Sequence, residues 1–342
     1  MCSAGTQGQV CLWPNRMQER KCPVRARASA GTARVTILHG GDPTMDVLCV
    51  GHASYDLIML VDHHPGEDEK CLAAGMWACG GGPAANAAVT VARLGGSGAL
   101  AAYLGADAYG CLHFSELEAE GVLTDFIVRG VHPTPLSVIL VKPDGTRTVV
   151  NHRAATPSLS AFTLDLSLCR PGVILFDGHE PIISSSLARS ARAAGIPTVL
   201  DAGSLHDGTR ELAPLVDYLV ASEKFARRFT GRDDPQLALD VLGRLAPCAV
   251  ITLGGNGLVW KKGEASGALP AFSVPVRDTT GAGDVFHGTF ALGIAQSLEF
   301  PALLRYASAA AALTCGKVGA RTGIPWRGEV HDFLSSVGPV FE

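Results

Sequence analysis

The residues best suited to chemistry are residues 278–284, which read Asp-Thr-Thr-Gly-Ala-Gly-Asp and run directly into an apolar segment. The first N–H groups of a helix have no intrahelical partner, and the helix dipole places partial positive charge there. Because Gly281, Ala282 and Gly283 carry almost no side chain, an anion can approach these groups closely. With Asp284 beside the anion, such a site suits phosphoryl transfer to a hydroxyl group. A glycine-rich turn that merely begins a buried helix is the simpler interpretation of Gly-Ala-Gly alone.

A second stretch of small residues, Gly80, Gly81 and Gly82, precedes Pro83 and Asn86. Proline suits the first position of a helix, so a helix is predicted to begin here. The glycines would let a ligand approach the backbone, and Asn86 would present its amide to the same ligand. A purely structural turn is the alternative, although three consecutive glycines are more than a turn requires.

Asp56 follows a continuous apolar run at residues 46–52, which predicts a buried parallel strand. Ligands of open α/β sheets bind beyond the carboxyl ends of the strands, so Asp56 is placed to meet a hydroxylated ligand. A carboxylate that caps a turn is the alternative.

A further glycine turn at residues 252–257 would admit a nucleotide at the end of a strand, with a tight hairpin as the alternative. The chain contains no Gly-x-x-x-x-Gly-Lys-Ser/Thr sequence, which excludes a P-loop. Any binding of ATP must therefore use another geometry.

Strands and helices alternate in the second half of the chain. Apolar patterns predict strands at residues 173–176, 198–200, 218–220 and 249–253, and helices at 182–194, 224–229 and 236–245. This alternation predicts an α/β fold with a doubly wound, mainly parallel sheet.

Two further regions predict strands outside this sheet. Apolar stretches within residues 57–78 flank a polar turn that contains His63 and His64, and residues 136–151 predict a hairpin around Asp144-Gly145. We assign both regions to a small β-sheet lid. The two histidines lack other ligands at metal-binding spacing, so a polar turn is favoured over a metal site.

The composition bounds the class of protein. The 342 residues are 47% hydrophobic, which suffices for a large core. Residues 1–44 carry a net charge of +4 and the whole chain −4, so the remainder carries −8. An acidic body argues against nucleic acid as a main partner, and no apolar run approaches the ~18 residues of a membrane span. The ten cysteines, without a Cys-x-x-Cys pair, indicate reduced thiols in a cytoplasmic protein.

Residues 1–44 lack apolar periodicity and are predicted to form a disordered extension, with an Arg-rich transit peptide as the weaker alternative. Residues 45–342 are predicted to form one main domain with its lid.

Taken together, residues 80–86, 252–257 and 278–284 resemble the ribokinase-like (PfkB) carbohydrate kinase family, over about residues 46–337. The resemblance implies a Rossmann-like core with a small β-sheet lid. It also implies ATP with Mg²⁺ as the phosphoryl donor and, in many members, a monovalent cation such as K⁺. Residues 45–342 would then be a ribokinase-like kinase domain.

The resemblance carries the family's roles onto matching positions. Asp284 corresponds to the catalytic base, and the anion hole falls on Gly281, Ala282 and Gly283. The sugar-binding positions fall on Asp56, Gly81, Gly82 and Asn86. The nucleotide positions fall on Thr252, Gly254 and Gly257, and the cation loop begins at Asp278 and Thr280. Many members carry Asn-x-x-Glu for Mg²⁺ near residue 220, whereas this chain offers only Glu223 at a shifted position.

Within the family, the sequence motifs are most similar to those of sulfofructose kinases. The shared motifs are Gly-Gly-Gly-Pro-Ala-Ala, Asp-Val-Phe-His-Gly and Arg-Thr-Gly-Ile-Pro. By this resemblance Lys70 and Asn151 fall where the sulfonate is bound. His179 stands where an arginine is expected, and Arg153 would compensate because a sulfonate prefers a strong cation. The stretch from Val47 to Asp62 is also similar to ketohexokinases.

The leading functional hypothesis is ATP-dependent phosphorylation of a ketose such as 6-deoxy-6-sulfofructose. Fructokinase, ketohexokinase and ribokinase activities are the alternatives, followed by a nucleoside kinase and by a sugar-binding regulator without catalysis. We expect a homodimer through the lid, because its apolar strands would be exposed in a monomer.

Overall fold

The computed structural model describes residues 44–153, 156–161, 163–167 and 169–338. The predicted extension lies outside the described residues, except for Thr44, which begins the first strand. Within these ranges, none of the helices has the length and apolar character needed to cross a membrane.

The strands alternate with helices along most of the chain. The strands are β1 (Thr44–Val50), β2 (Ser54–Leu60), β3 (Gly75–Gly81), β4 (Gly98–Ala101), β5 (Tyr103–Gly105), β6 (Val128–Gly130), β7 (Leu136–Val141), β8 (Arg147–His152), β9 (Arg170–Phe176), β10 (Thr198–Ala202), β11 (Tyr218–Ser222), β12 (Cys248–Thr252), β13 (Leu258–Lys262) and β14 (Ala265–Leu269). The helices are α1 (Pro83–Arg93), α2 (Ala108–Ala119), α3 (Pro181–Ala194), α4 (Asp207–Leu212), α5 (Glu223–Thr230), α6 (Pro235–Leu242), α7 (Ala282–Ala295), α8 (Phe300–Thr314), α9 (Ala320–Gly323) and α10 (Arg327–Ser336).

The main sheet has eight strands in the order β14-β13-β12-β11-β10-β9-β1-β4. The six strands from β12 to β4 are parallel, and β13 and β14 add an antiparallel edge. Along β1, Val47 and Cys49 face a core shared with α1 and α7, whereas Leu48 and Val50 face a core shared with α3. Helices thus cover both faces, which explains the continuous apolar strands and confirms the predicted doubly wound α/β fold.

The lid is a separate four-stranded sheet in the order β3-β2-β7-β8, in which β2 and β7 are parallel and the outer pairs antiparallel. The lid strands overlap the two predicted regions but extend beyond residues 57–78 at both ends. The strand β2 begins three residues earlier, at Ser54, and β3 ends three residues later, at Gly81, so Gly80 and Gly81 belong to a strand rather than to a turn before α1. These residues pair with Tyr55 and Ser54 of β2, so the strand continues almost to the first residue of α1.

Several short elements escaped the sequence analysis. They are α4, α9, β6 and β14. Elements of three to six residues are too short to show a periodic pattern. Within the described ranges, Cys49, Cys71, Cys79, Cys248 and Cys315 are free thiols. Cys111 is disulfide-bonded, contrary to the expectation of reduced thiols.

Candidate active site

The start of α7 forms a cradle of backbone amides. Gly281 precedes the helix with φ 80°, and a Cβ atom there would lie 2.7 Å from the Cβ of Ala320, so only glycine fits. A Cβ atom at Gly283 would meet no protein atom within 4 Å, so the space in front of the helix is open. The Ala282 amide donates to the Thr279 carbonyl oxygen at 3.3 Å. Among the described residues, the amides of Gly281, Gly283 and Asp284 have no hydrogen-bond acceptor and remain available to an anion.

Asp284 stands in the first turn of α7, where Nδ2 of Asn86 donates to its Oδ2 at 2.7 Å. Burial, and after it the carboxylate of Asp201, raise the pKa of Asp284 to about 7 against the opposing effects of Asn86 and His287. A carboxylate that titrates near neutral pH can accept a proton from a hydroxyl group. The buried Oδ1 of Asn86 has no partner within the described chain, so it can accept a hydrogen bond from a ligand.

Asp56 lies on β2 at the base of the lid. Its Oδ1 accepts a hydrogen bond from the Ser54 hydroxyl at 2.8 Å, and burial raises its pKa. A Cβ atom at Gly81 would lie 2.0 Å from Asp56 Oδ2, and one at Gly82 would lie 2.5 Å from the His52 carbonyl oxygen. The glycines therefore let the lid strands close tightly around the Asp56 carboxylate. The structure thus brings the predicted sugar-binding residues to the junction between the lid and α1.

Asp177, which the sequence analysis missed, organises this junction. Its Oδ2 accepts from the amides of His52 at 2.7 Å and Ala84 at 3.2 Å, and its Oδ1 accepts from the His179 amide at 2.8 Å. The carboxylate therefore ties the loop after β1 to the first turn of α1 and to the loop after β9. Its position directly after the predicted strand at residues 173–176 was the available signal.

Two of the residues predicted to clamp a sulfonate, Arg153 and His179, are in contact. Arg153 donates through Nη2 to the His179 carbonyl oxygen at 2.6 Å and to Glu180 Oε1 at 2.9 Å. Its guanidinium group therefore lies beside His179, for which it was predicted to compensate, and is paired with the Glu180 carboxylate. Lys70 lies in the exposed loop between β2 and β3 and makes no hydrogen bond or ion pair to any described residue. Asn151 is exposed on β8, opposite Ser137 of β7.

His179 belongs to a group of three imidazole rings. Its ring stacks on that of His206 with a centroid distance of 4.6 Å, and it lies 5.3 Å from the ring of His52. Burial lowers the pKa of His52 to about 3 and also lowers that of His206. These two side chains are therefore neutral near pH 7, and Glu180 beside them has its pKa raised by burial to about 7.

The predicted nucleotide positions lie at the carboxyl edge of β11 and β12. The Thr252 hydroxyl donates to the Ala221 carbonyl oxygen at 3.3 Å. Gly254 has φ 57°, and a Cβ atom there would meet no protein atom within 4 Å. A Cβ atom at Gly257 would lie 2.0 Å from the Leu269 carbonyl oxygen, so hairpin packing already explains that glycine. Glu223 begins α5 at the same edge, and within the described ranges its carboxylate has no hydrogen-bond or ionic partner.

The predicted cation loop is held by its own side chains. Asp278 Oδ1 accepts from the amide of Thr280 at 2.9 Å and from its hydroxyl at 2.6 Å, while Oδ2 accepts from the Gly319 amide at 2.8 Å. Arg147 of the lid donates to the Thr279 hydroxyl at 3.3 Å. The Asp278 and Thr280 side chains therefore brace the loop.

The polar turn of the lid is also held together locally. His63 Nδ1 lies 2.7 Å from Asp62 Oδ1, and His63 Nε2 lies 2.5 Å from Glu69 Oε1. Contrary to the expectation that no further ligand stands near, Cys71 comes close enough for the ligand atoms of Asp62, His63 and Cys71 to lie within 4.8 Å of one another. The hydrogen bonds of the turn account for this arrangement without a metal.

A doubly wound sheet with a four-stranded lid at the start of α1 and α7 is a ribokinase-like α/β fold. The fold matches that of ribokinase from Thermotoga maritima with a TM-score of 0.77 and 27% identity, covering 85% of this chain and 99% of that one. It also matches Arabidopsis thaliana ribokinase, solved with ribose and ATP, with a TM-score of 0.74 and 27% identity, covering 85% of this chain and 98% of that one.

The sequence profile of the pfkB family carbohydrate kinases matches residues 44–327. The chain belongs to this family and is an ATP-dependent sugar kinase. The chain is 29% identical to the ribokinase of Bacillus subtilis over 296 residues, which cover 85% of this chain and 99% of the relative. It is 30% identical to a fructokinase of Solanum tuberosum over 304 residues, which cover 81% of this chain and 93% of the relative.

Proposed function

We propose that the chain transfers the γ-phosphoryl group of ATP to a hydroxyl group of an uncharged monosaccharide, with Asp284 as the base. The observation that carries this proposal is the Asn86–Asp284 hydrogen bond, which leaves the buried Oδ1 of Asn86 free among the described residues. One sugar hydroxyl would donate to that oxygen and hold a neighbouring hydroxyl against the Asp284 carboxylate. The free amides of Gly281, Gly283 and Asp284 would stabilise the charge of the transferred group.

The acceptor is ribose or fructose in this proposal. The relatives reported above are named ribokinase and fructokinase, which supports these two sugars. The engagement of Arg153 by Glu180 also favours an acceptor without a negative charge, because it leaves no unpaired guanidinium group there. 6-Deoxy-6-sulfofructose is the second candidate, since the nitrogen-rich group of His52, His179 and His206 beside Arg153 would suit a sulfonate once Glu180 is displaced.

ADP release with MgATP tests the proposal against a panel of ribose, fructose, 6-deoxy-6-sulfofructose, fructose 6-phosphate and adenosine. We expect ribose or fructose to give the highest kcat/KM. Preferred turnover of the sulfonated sugar would instead support the second candidate. Turnover of adenosine alone would refute a sugar acceptor, and sugar binding without ADP release would refute the kinase reaction.

With ATP as the phosphoryl donor, we propose that the protein uses Mg²⁺ and K⁺. Mg²⁺ would be bound by the phosphates and, through water, by Glu223, whose carboxylate has no other partner among the described residues. The ion would neutralise charge on the phosphates. K⁺ would bind to carbonyl oxygens of the loop that Asp278 and Thr280 brace, so the assay is run with and without K⁺.

We also propose that the protein forms a homodimer through its lids, with residues 45–342 as one ribokinase-like kinase domain. Exposed apolar side chains on the lid support this proposal, among them Met76, Trp77, Val149 and Val150. A supply of ATP favours a cytoplasmic location.

A further inference from the structure

His287 lies on α7 one turn after Asp284 and is only 3% exposed. Its Nδ1 is 2.6 Å from the Gly283 carbonyl oxygen and 3.3 Å from Asp201 Oδ2. Its Nε2 is 3.1 Å from the Val220 carbonyl oxygen at the end of the main sheet. The two ring nitrogens thus face three oxygen atoms, which come from α7, β10 and β11.

The partners of the ring determine its protonation. A carbonyl oxygen can only accept a hydrogen bond, and neutral imidazole has one N–H group, whereas imidazolium has two. In neutral His287, one nitrogen lone pair would point at a carbonyl lone pair inside the protein. With both nitrogens protonated, the two hydrogen bonds are made. The Asp201 carboxylate then supplies the opposite charge that a buried cation requires.

His113 shows that burial alone does not decide this outcome. Its side chain is fully buried, but its Nε2 lies 3.4 Å from Nη2 of Arg321, which can only donate. His113 must therefore accept at Nε2. Burial and the charge of Arg321 lower its pKa, so it is neutral. The same chain thus holds two buried histidines whose neighbours favour opposite protonation states.

The charge on His287 affects the ionisation of Asp284, the proposed base. Asp284 accepts a hydrogen bond from Asn86 on α1. The charges of Asp201 on β10 and Asp177 after β9 raise its pKa, whereas that of His287 on its own helix lowers it. Two buried carboxylates without a cation between them would share one proton, and Asp284 would be unavailable as a base. His287 opposes this repulsion. Its hydrogen bond to the Gly283 carbonyl also polarises the peptide unit that carries the Asp284 amide of the cradle.

We propose that His287 is a positioning residue for the kinase reaction: as an imidazolium ion paired with Asp201, it favours the ionised form of Asp284 and fixes the Gly283–Asp284 peptide in the anion cradle. The proposal rests on the proposed function only for the role of Asp284. The charge of His287 can be measured without any activity assay.

The first experiment is ¹⁵N NMR of the imidazole nitrogens in the full chain at about pH 7, without ligands. We expect both nitrogens of His287 to be protonated, while His113 shows one protonated and one bare nitrogen and serves as the internal control. Assignment comes from the His287→Asn and His113→Asn spectra. A neutral tautomer at His287 overturns the proposal whether or not the chain phosphorylates a sugar.

The second experiment compares pH profiles of kcat for the wild type, His287→Asn and the double variant Asp201→Asn/His287→Asn. We expect His287→Asn to lower kcat roughly 10-fold to 100-fold, with little change in the KM for the sugar. The acid limb should move up by about one pH unit, because a charge that favours ionised Asp284 is lost. In the double variant, the acid limb of the profile should return toward its wild-type pH, because Asp201 no longer repels Asp284.

A merely structural role would lower thermal stability but leave the acid limb where it is, and such a result overturns the proposal. If His287→Asn does not fold, the NMR measurement on the wild type still decides the charge.

Discussion

Asp284 and Asn86 are 198 residues apart in sequence, yet they share a hydrogen bond of 2.7 Å. Each stands in the first turn of its helix, so the starts of α1 and α7 bring a proton acceptor and a free amide oxygen together. Because surrounding protein raises the pKa of Asp284 to about 7, the carboxylate is a stronger base than an exposed aspartate. Such a carboxylate can accept a proton from a hydroxyl group near neutral pH.

The replacement Asp284→Asn tests this assignment. We expect kcat to fall by about 10²–10⁴-fold, which is the usual contribution of a general base. The side-chain amide introduced by the replacement keeps an oxygen that can accept from Asn86, so sugar affinity measured by calorimetry should change little. Asp240→Asn, at the surface carboxylate that pairs with Lys261, is the control and should keep wild-type turnover. Turnover near that of the wild type in Asp284→Asn would show that another group is the base.

At the scale of the element, the start of α7 contains two glycines that are required for different reasons. Gly281 has a positive φ and sits against Ala320, whereas Gly283 borders open space. The first glycine is needed by the fold. The second is needed only if a ligand occupies the space in front of the helix.

The pair Gly281→Ala and Gly283→Ala separates these reasons. We expect Gly281→Ala to lower the free energy of unfolding by about 1–3 kcal/mol, because of the strained φ and the contact with Ala320. Gly283→Ala should leave the denaturation midpoint nearly unchanged but raise the KM for ATP and lower kcat, since its methyl group intrudes on the phosphate. An equal loss of stability in both variants, with no kinetic difference between them, would contradict a cradle at Gly283.

The elements also show what the sequence could reveal. The starts of α1 and α7 were predictable because proline, glycine and apolar periodicity are local signals. The role of Asp177 was not, since it depends on the adjacency of β1 and β9, which are more than 100 residues apart along the chain. The ion pair of Arg153 with Glu180 could not be predicted either, because it depends on tertiary contacts. The same holds for the acceptors around His287.

At the scale of the whole molecule, the lid carries a group of exposed apolar side chains. Every residue of β8 is exposed, and Trp77 on β3 and Val150 on β8 are 43% and 62% exposed. The lid also contacts the loop before α7, where Arg147 donates to the Thr279 hydroxyl. A surface that joins the site on one side and carries apolar groups in contact with water is a candidate subunit interface.

If two lids pack together, static light scattering at micromolar concentration should give twice the mass of one chain. Val150→Glu would place a charge in the apolar interface and should yield a folded monomer, because an unpaired charge is costly to bury. Ile182→Glu on α3 is the matched control: Ile182 is 58% exposed but lies outside the lid, so this variant should remain a dimer. A wild-type monomer would refute the dimer, and loss of the dimer in Ile182→Glu alone would place the interface on α3.

Since the lid carries Asp56, we expect the Val150→Glu monomer to show a raised KM for the sugar and an unchanged KM for ATP.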